Sequence, residues 1–140
     1  MKVYLMSLAI LIALFSFFCT TQTIPKKFPY GNYAYTSYNI AGEIVGEGTL
    51  FVSRVDTNNI EGNWSIRNIH NCVVCGPQYG GGFFSGSIEG DSLYINLNPD
   101  SPQNYVKLTG KIDDGNFFGK WRWVELIVRT NWGTFKAVKQ

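Results

Sequence analysis

Charged residues, histidine and cysteine are all scarce in this chain. Of its 140 residues only 16% are charged, one is a histidine and three are cysteines, and the formal net charge is +2. No run of basic residues is longer than the pair Lys26 and Lys27, whereas a nucleic-acid-binding surface needs a clustered basic stripe. No segment has a convincing helical period either. The sequence therefore predicts a protein that is not helical and does not bind nucleic acid.

Residues that could build a catalytic centre are equally few. His70 is the lone histidine, so a nucleophile paired with a histidine base would depend on it alone. The three glycines at 80–82 are followed by Phe83 rather than by the lysine and helix of a phosphate-binding loop. Asp113 and Asp114 lie in a predicted turn, where acidic residues usually serve as turn formers. We therefore expect a protein that is not an enzyme and that needs no cofactor.

Aromatic residues and glycine are abundant instead. Aromatics make up 16% of the chain, and there are fifteen glycines, a composition that favours strands and tight turns over helices. Between Ile60 and Arg67 every second residue is apolar or glycine. Such a period of two indicates one buried and one solvated face. Eight strands are predicted on this basis, near 31–41, 46–55, 60–69, 80–89, 92–98, 104–113, 116–128 and 132–139.

The connections between these strands are short and polar. Turn sequences rich in Asp, Asn and Gly are found at 56–59, 89–91, 113–116 and 130–131. Connections this short join antiparallel neighbours, so the strands should follow one another in space. Pairing of the first strand with the last would remove both exposed edges. The predicted fold is therefore all-β: an eight-stranded antiparallel up-and-down meander barrel formed by residues 30–140.

The N-terminus has the pattern of an export segment. Lys2 precedes an apolar run at 3–18, and Cys19 stands where that run ends. This resembles a bacterial lipoprotein leader, which implies cleavage before Cys19 and a lipid on that cysteine, although Phe18 stands where the pattern has a small residue. The alternatives are cleavage at 20–23 by ordinary signal peptidase, or retention as an uncleaved anchor. We expect a leader at 1–19, a tether at 20–29, and a periplasmic or cell-surface domain.

The start of the first strand resembles the opening motif of the lipocalin and calycin barrels. Phe28-Pro-Tyr-Gly31-Asn-Tyr33 is similar to their Gly-x-Trp motif, with Tyr33 at the tryptophan position. The lipocalin N-terminal helix has no room in this chain. The resemblance implies a small barrel that holds a small apolar or amphipathic ligand.

Cys72 and Cys75 form the one short motif with intrinsic chemistry. No βαβ pattern surrounds it, as a thioredoxin-like redox site would require. A zinc site with His70 as third ligand would still lack a fourth. A structural disulfide in an oxidising compartment is the prediction, with zinc and redox catalysis as alternatives.

A ligand site is predicted inside the barrel. Arg54 shares the face of Leu50, and Glu125 shares the face of Trp121, so both charges would point inward and approach each other unless a bulge near Trp123 changes the register. An Arg–carboxylate pair could hold a polar head group beside a single wall of aromatic residues. The predicted ligand-binding residues are Trp64, Trp121, Trp123, Glu125, Arg54 and Phe135.

Two functions follow from these expectations. The first is an exported barrel, tethered to the membrane through its N-terminal lipid, that binds a small apolar or amphipathic ligand. The second is a non-enzymatic envelope protein, an inhibitor or an assembly factor, that acts through its loops. Glycines at inward positions favour free volume inside the barrel, whereas the many Trp and Phe residues favour a filled core.

The leader pattern makes a prediction about the mature protein. It should lack residues 1–18 and carry lipid on Cys19, and it should fractionate with membranes. More than one acyl chain is expected, because a single chain binds membranes only marginally. Intact mass of the native protein measures this directly. A mature chain that starts unmodified downstream of Cys19 would contradict the prediction of a lipid but would still agree with the prediction of export.

Overall fold

A computed structural model describes residues 30–70, 72–126 and 131–140. The predicted leader at 1–19, the tether at 20–29 and the lipidation site Cys19 lie outside these residues. Among the residues that are described, no helix has the length and apolar character needed to cross a bilayer.

Eight antiparallel strands form the fold, and each pairs with the strands before and after it in the chain. β1 also pairs with β8, so the sheet closes into a barrel. This confirms the predicted eight-stranded antiparallel barrel. The strands are β1 (Gly31–Tyr38), β2 (Ile44–Asp56), β3 (Asn59–Asn68), β4 (Gly80–Glu89), β5 (Ser92–Asn96), β6 (Asn104–Asp113), β7 (Asn116–Glu125) and β8 (Trp132–Lys139).

Alternation along each strand separates the interior from the solvent. In β3, Ile60, Trp64 and Ile66 are buried, while Asn63 and Arg67 are exposed. The same period-two pattern holds in β6 and β8. Since inward side chains of all eight strands meet in one space, the core is a single aromatic and aliphatic cluster. Its largest fully buried members are Trp121, Tyr33, Tyr35, Phe84, Phe117, Leu50, Ile60, Ile95, Leu97 and Leu108.

Four strands end earlier than predicted, of which β3 ends only one residue early, at Asn68 rather than 69. β1 was expected to reach residue 41 but ends at Tyr38, because the side-chain oxygen of Asn39 accepts hydrogen bonds from the backbone N–H groups of Ala41 and Glu43, at 2.9 and 3.0 Å. An Asn side chain that bonds backbone groups in this way fixes a turn instead of a strand. β5 ends at Asn96 rather than 98, and β7 ends at Glu125 rather than 128; residues 127–130 lie outside the described part of the chain.

The two ends of the barrel differ in their connections. At one end, which we call the hairpin end, tight turns join β2 to β3, β4 to β5 and β6 to β7, and β1 begins there. At the other end, the loop end, longer connections at 39–43, 69–79 and 97–103 join the remaining described strands. Among the connections that the structure describes, those long enough to fold over the interior therefore lie at the loop end.

Close packing at the β8–β1 junction requires a glycine. A Cβ atom at Gly133 would lie 2.6 Å from Nε1 of Trp121 and closer still to the backbone oxygen of Tyr38. Trp121 donates its indole N–H to that same oxygen at 2.8 Å. The absence of a side chain at Gly133 thus leaves room for the indole of Trp121 beside the backbone of Tyr38 at the junction that closes the barrel.

Gly133→Ala should therefore destabilise the barrel by about 1–3 kcal/mol, the usual cost of overpacking. The matched control is Gly81→Ala, because Gly81 is exposed and its nearest neighbour, the Trp64 backbone oxygen, would be 3.1 Å from the new Cβ. That control should change stability by no more than about 0.5 kcal/mol. Urea unfolding of the three proteins measures both values. Equal stability of Gly133→Ala and the wild type would contradict this packing.

Candidate functional site

The connection between β3 and β4 folds over the loop end of the barrel. Cys72 and Cys75 are joined by a disulfide, as predicted, so neither thiol is free to bind zinc. Cys75 is 0% exposed and belongs to the core cluster. Three residues further on, Gln78 is also 0% exposed. The segment at 69–79 is therefore a cap that inserts side chains into the barrel.

Gln78 places a neutral amide inside a mostly apolar interior. Its Nε2 donates to the backbone oxygen of Cys75 at 2.9 Å, and its Oε1 accepts from the hydroxyl of Tyr35 at 3.5 Å. Ser37, two residues along β1 from Tyr35, is also fully buried. Burial raises the pKa of the Tyr35 hydroxyl well above its usual value. The interior thus carries a polar cluster made of uncharged groups.

Indole N–H groups surround the loop end. Trp64 donates to the backbone oxygen of Leu97 at 2.6 Å, and Trp123 donates to Oδ1 of Asn104 at 2.7 Å. With the bond from Trp121 to Tyr38, all three indoles are anchored near the strand ends of this side of the barrel. Because each N–H is already bonded, these rings offer apolar faces to the interior.

The predicted aromatic residues lie in the interior, but on two sides of it. Trp121 and Phe135 lie on the adjacent strands β7 and β8. Trp64 lies on β3, four strands away from β7 around the barrel. The prediction of a single aromatic wall was therefore wrong, because closure places β3 across the interior from β7.

The cap lies directly on Trp123. A Cβ atom at Gly76 would be 2.7 Å from Cδ1 of Trp123, and Gly76 has a positive φ of 67°. Both the close approach and the left-handed backbone favour glycine at this position. Trp123 is itself only partly buried and packs against the core. The ring of Trp123 therefore packs between the cap and the core, and its indole N–H donates a hydrogen bond to Asn104.

Arg54 does not enter the barrel, and its predicted inward position was wrong. The β2–β3 register shifts between Val52 and Arg54, and this bulge turns the side chain outward. Its side chain is 63% exposed and forms ion pairs with Asp56 and Glu61, at 3.4 and 3.6 Å. Arg54 lies near the hairpin end, away from the cap.

Glu125 is also outside the interior. The pairing of β6 with β7 runs without a shift from Asp113 opposite Asn116 to Asn104 opposite Glu125, so the bulge predicted near Trp123 is not found in this pairing. Glu125 keeps inward parity but is exposed, because it is the last residue of its strand. Arg54 and Glu125 thus lie near opposite ends of the barrel, and the predicted pair between them does not form.

Sequence reasoning missed the polar groups that do lie inside. Alternation from Tyr33 to Ser37 could have placed Tyr35 on the inward face of β1. Gln78 had no comparable signal, because it belongs to a connection without periodicity, and polar residues in connections are usually solvated.

Comparison with known proteins supports the fold alone. No protein-family model matches the chain, and neither does any curated protein. The solved structure of EF1p2_mFAP2b bound to DFHBI is similar, with a TM-score of 0.54 and 12% sequence identity, over 79% of this chain and 93% of that one. At this identity the likeness shows that both chains form the same kind of barrel.

Two tyrosines, the buried Tyr35 and the partly buried Tyr79, predict how the protein responds to alkaline pH. Burial raises the pKa of Tyr79 to about 12, and the pKa of Tyr35 is raised too. Each folded pKa exceeds the unfolded value of about 10. These tyrosines therefore make their full contribution to the free energy of unfolding below about pH 10, and that contribution is lost as pH rises through the folded pKa.

Titration of phenolate absorbance should show several tyrosines ionising above about pH 10, with Tyr79 near pH 12, and Tyr79→Phe should reduce this late absorbance change by one tyrosine. Tyr30→Phe, at an exposed position, is the control and should leave the late step in place. An unchanged late absorbance step in Tyr79→Phe, or an equal reduction in Tyr30→Phe, would contradict the assignment.

Proposed function

We propose that this barrel binds a small apolar or amphipathic ligand at the loop end, beneath the cap at 69–79. The aromatic faces of Trp64 and Trp121 would contact the apolar body of the ligand. Gln78 and Tyr35 would hydrogen-bond its polar group. The fully buried amide of Gln78 is the observation that carries the proposal. No catalytic group is required, and the protein would act as a binding protein.

A buried amide is an unusual way to fill a barrel. Burying a polar group costs free energy unless it is hydrogen-bonded, and an apolar side chain would fill the same space without that requirement. Small-molecule pockets, by contrast, combine apolar walls with a few placed polar groups. The interior around Gln78 has this composition.

The cap is also the part that can make room for a ligand. The strands are held by continuous backbone pairing, but Cys75 and Gln78 enter the interior from a connection that belongs to no strand. Its displacement would open the loop end without breaking a strand pair. The disulfide would then keep the displaced segment compact, because Cys72 and Cys75 are only three positions apart.

Exposed apolar residues at the loop end favour uptake from this side. Ile40, Val73 and Leu126 are exposed there, and exposed apolar patches often mark interaction sites. The connections at the hairpin end are instead built from Asp, Asn, Thr and Gly. The similar barrel of known structure was solved with a small molecule bound, which supports ligand binding as a use of such barrels.

The proposal includes export and a lipid tether at Cys19. A disulfide fits an oxidising compartment outside the cytoplasm. β1 begins at the hairpin end, so a tether preceding residue 30 would hold the barrel by that end. The loop end, with its cap, would then lie on the side opposite the attachment.

One observation favours the second candidate, an interaction protein acting through its loops. Val73 is 89% exposed and Val74 is also exposed, inside the ring closed by the disulfide. A constrained loop presenting apolar side chains loses little entropy when it binds a partner. An inhibitor or assembly factor would use this tip directly.

The test begins with protein purified without unfolding, whose organic extract is examined by mass spectrometry for a bound compound. The purified protein is then titrated with dodecanol and with dodecanoate, using tryptophan fluorescence. Dodecanol should bind more tightly, because the polar groups inside are uncharged and a buried carboxylate would lack a counter-ion. Gln78→Leu should weaken dodecanol binding about tenfold, the effect of one lost hydrogen bond.

Gln103→Leu is the matched control, because Gln103 is exposed, and it should bind like the wild type. Tyr35→Phe removes the second polar group with little change of shape and decides the question if Gln78→Leu does not fold. Equal binding by all variants, or no binding and no extracted compound, would exclude the interior site and favour the interaction protein.

A further inference from the structure

The outer face of β6, β7 and β8 carries an unusual concentration of positive charge. Its outward positions hold five cations and a single carboxylate, Asp113, at the end of β6. These cations are spread over three strands and none is adjacent to another in the sequence, so no basic run reveals them, and strand pairing brings the three strands' cations together. They are Lys107, Lys111, Lys120, Arg122 and Lys136.

Two of these cations face each other directly. Lys107 is the cross-strand partner of Arg122, and Lys120 is two residues from Arg122 on the same face of β7. Like charges placed directly opposite in a sheet destabilise it. A face that served stability alone would place an acid or a neutral residue at one of these positions.

The opposite side of the barrel shows such compensation. On β2 and β3, Arg67 pairs with Glu47 at 2.7 Å, and Arg54 pairs with Asp56 and Glu61. We call the outer face of β6, β7 and β8 the basic face. In the described part of the chain, lysines of this face contact aromatic rings, whereas the arginines of β2 and β3 form ion pairs. Lys107 lies over the ring of Tyr94 at 4.9 Å, and Lys120 lies over that of Trp132 at 5.6 Å. A ring contact does not neutralise a lysine, which keeps donors free for an anion.

A groove lies among these residues. Its volume is about 380 Å³, and it is lined by Lys107, Thr109, Lys120, Trp121, Arg122 and Trp132. This volume is within the range of small-molecule sites. Thr109 is exposed and is the cross-strand partner of Lys120, so its hydroxyl adds a neutral donor between the cations. Trp132 is 46% exposed and offers a ring at the edge of the groove.

We propose that this groove is a second binding site, separate from the barrel interior, for a small organic phosphate or sulfate ester. Arg122, Lys107 and Lys120 would bind the oxyanion, for which Arg supplies paired donors and Lys supplies point charges. The edge of Trp132 would contact the organic part of the ligand. A small ester fits better than a membrane surface, because the groove holds a few cations around a limited volume and its exposed apolar contribution is one indole.

The proposal is tested by calorimetric titration of the purified protein with phenyl phosphate and phenyl sulfate, with phenol and inorganic phosphate for comparison. Both esters should bind more tightly than either comparison compound, and added salt should weaken them, because exposed charges are screened. Arg122→Gln should lower ester affinity at least about tenfold, the effect of losing one charge-assisted hydrogen bond. Lys107→Gln should act in the same direction.

Arg67→Gln is the matched control, since it removes the same charge from the opposite side of the barrel; it should leave ester affinity within about twofold of the wild type. Arg122→Gln should also unfold at the same or a higher temperature than the wild type, because a like-charge pair is relieved. An equal loss of affinity in Arg67→Gln would overturn the site. So would binding to vesicles of anionic phospholipid without binding of either ester, which would assign the face to a membrane surface instead.

Discussion

The pairing of the first strand with the last is the constraint on which the rest of the structure depends. β1 and β8 are bonded from Tyr33 opposite Lys139 to Tyr38 opposite Thr134, so neither edge of the sheet is left open. Closure at eight strands leaves an interior just wide enough for side chains or one small ligand. The stacking of Tyr35 on Phe135, at 5.9 Å between ring centroids, fills part of that space across the junction.

Because closure leaves no free sheet edge, only the two ends of the barrel have connections that could contribute residues other than those that pack the core. At the hairpin end, the described connections between strands are tight polar turns, which are too short to enter the interior. At the loop end, the segment at 69–79 is long enough to return into the interior, and it brings Cys75 and Gln78 with it. The hydrogen bond from Tyr35 to Gln78 joins this cap to the first strand. The polar cluster is therefore formed jointly by this connection, which supplies Gln78, and by β1, which supplies Tyr35 and Ser37.

The sequence predicted what depends on periodicity and missed what depends on pairing. The alternation from Ile60 to Arg67 and the polar turns were enough to predict eight strands and their closure. Arg54 was wrongly predicted to point inward because a bulge breaks the alternation after Val52. The residues around this position contain no sequence signal that would predict a bulge. Gln78 was missed because connections have no period. The basic face was missed because its charges are spread over three strands and meet only through their register.

The alternation of β7 allows one strand to serve both proposed sites. Trp121 points into the barrel, and its neighbours Lys120 and Arg122 point out of it. Trp121 lines the groove as well as the interior, but the polar and charged side chains proposed to bind the two ligands are different. A change at Arg122 removes charge from the groove and leaves the indole of Trp121 bonded to Tyr38, while a change at Gln78 reaches only the cap and β1. The two binding activities should therefore be separable by substitution, as expected for distant residues without shared partners.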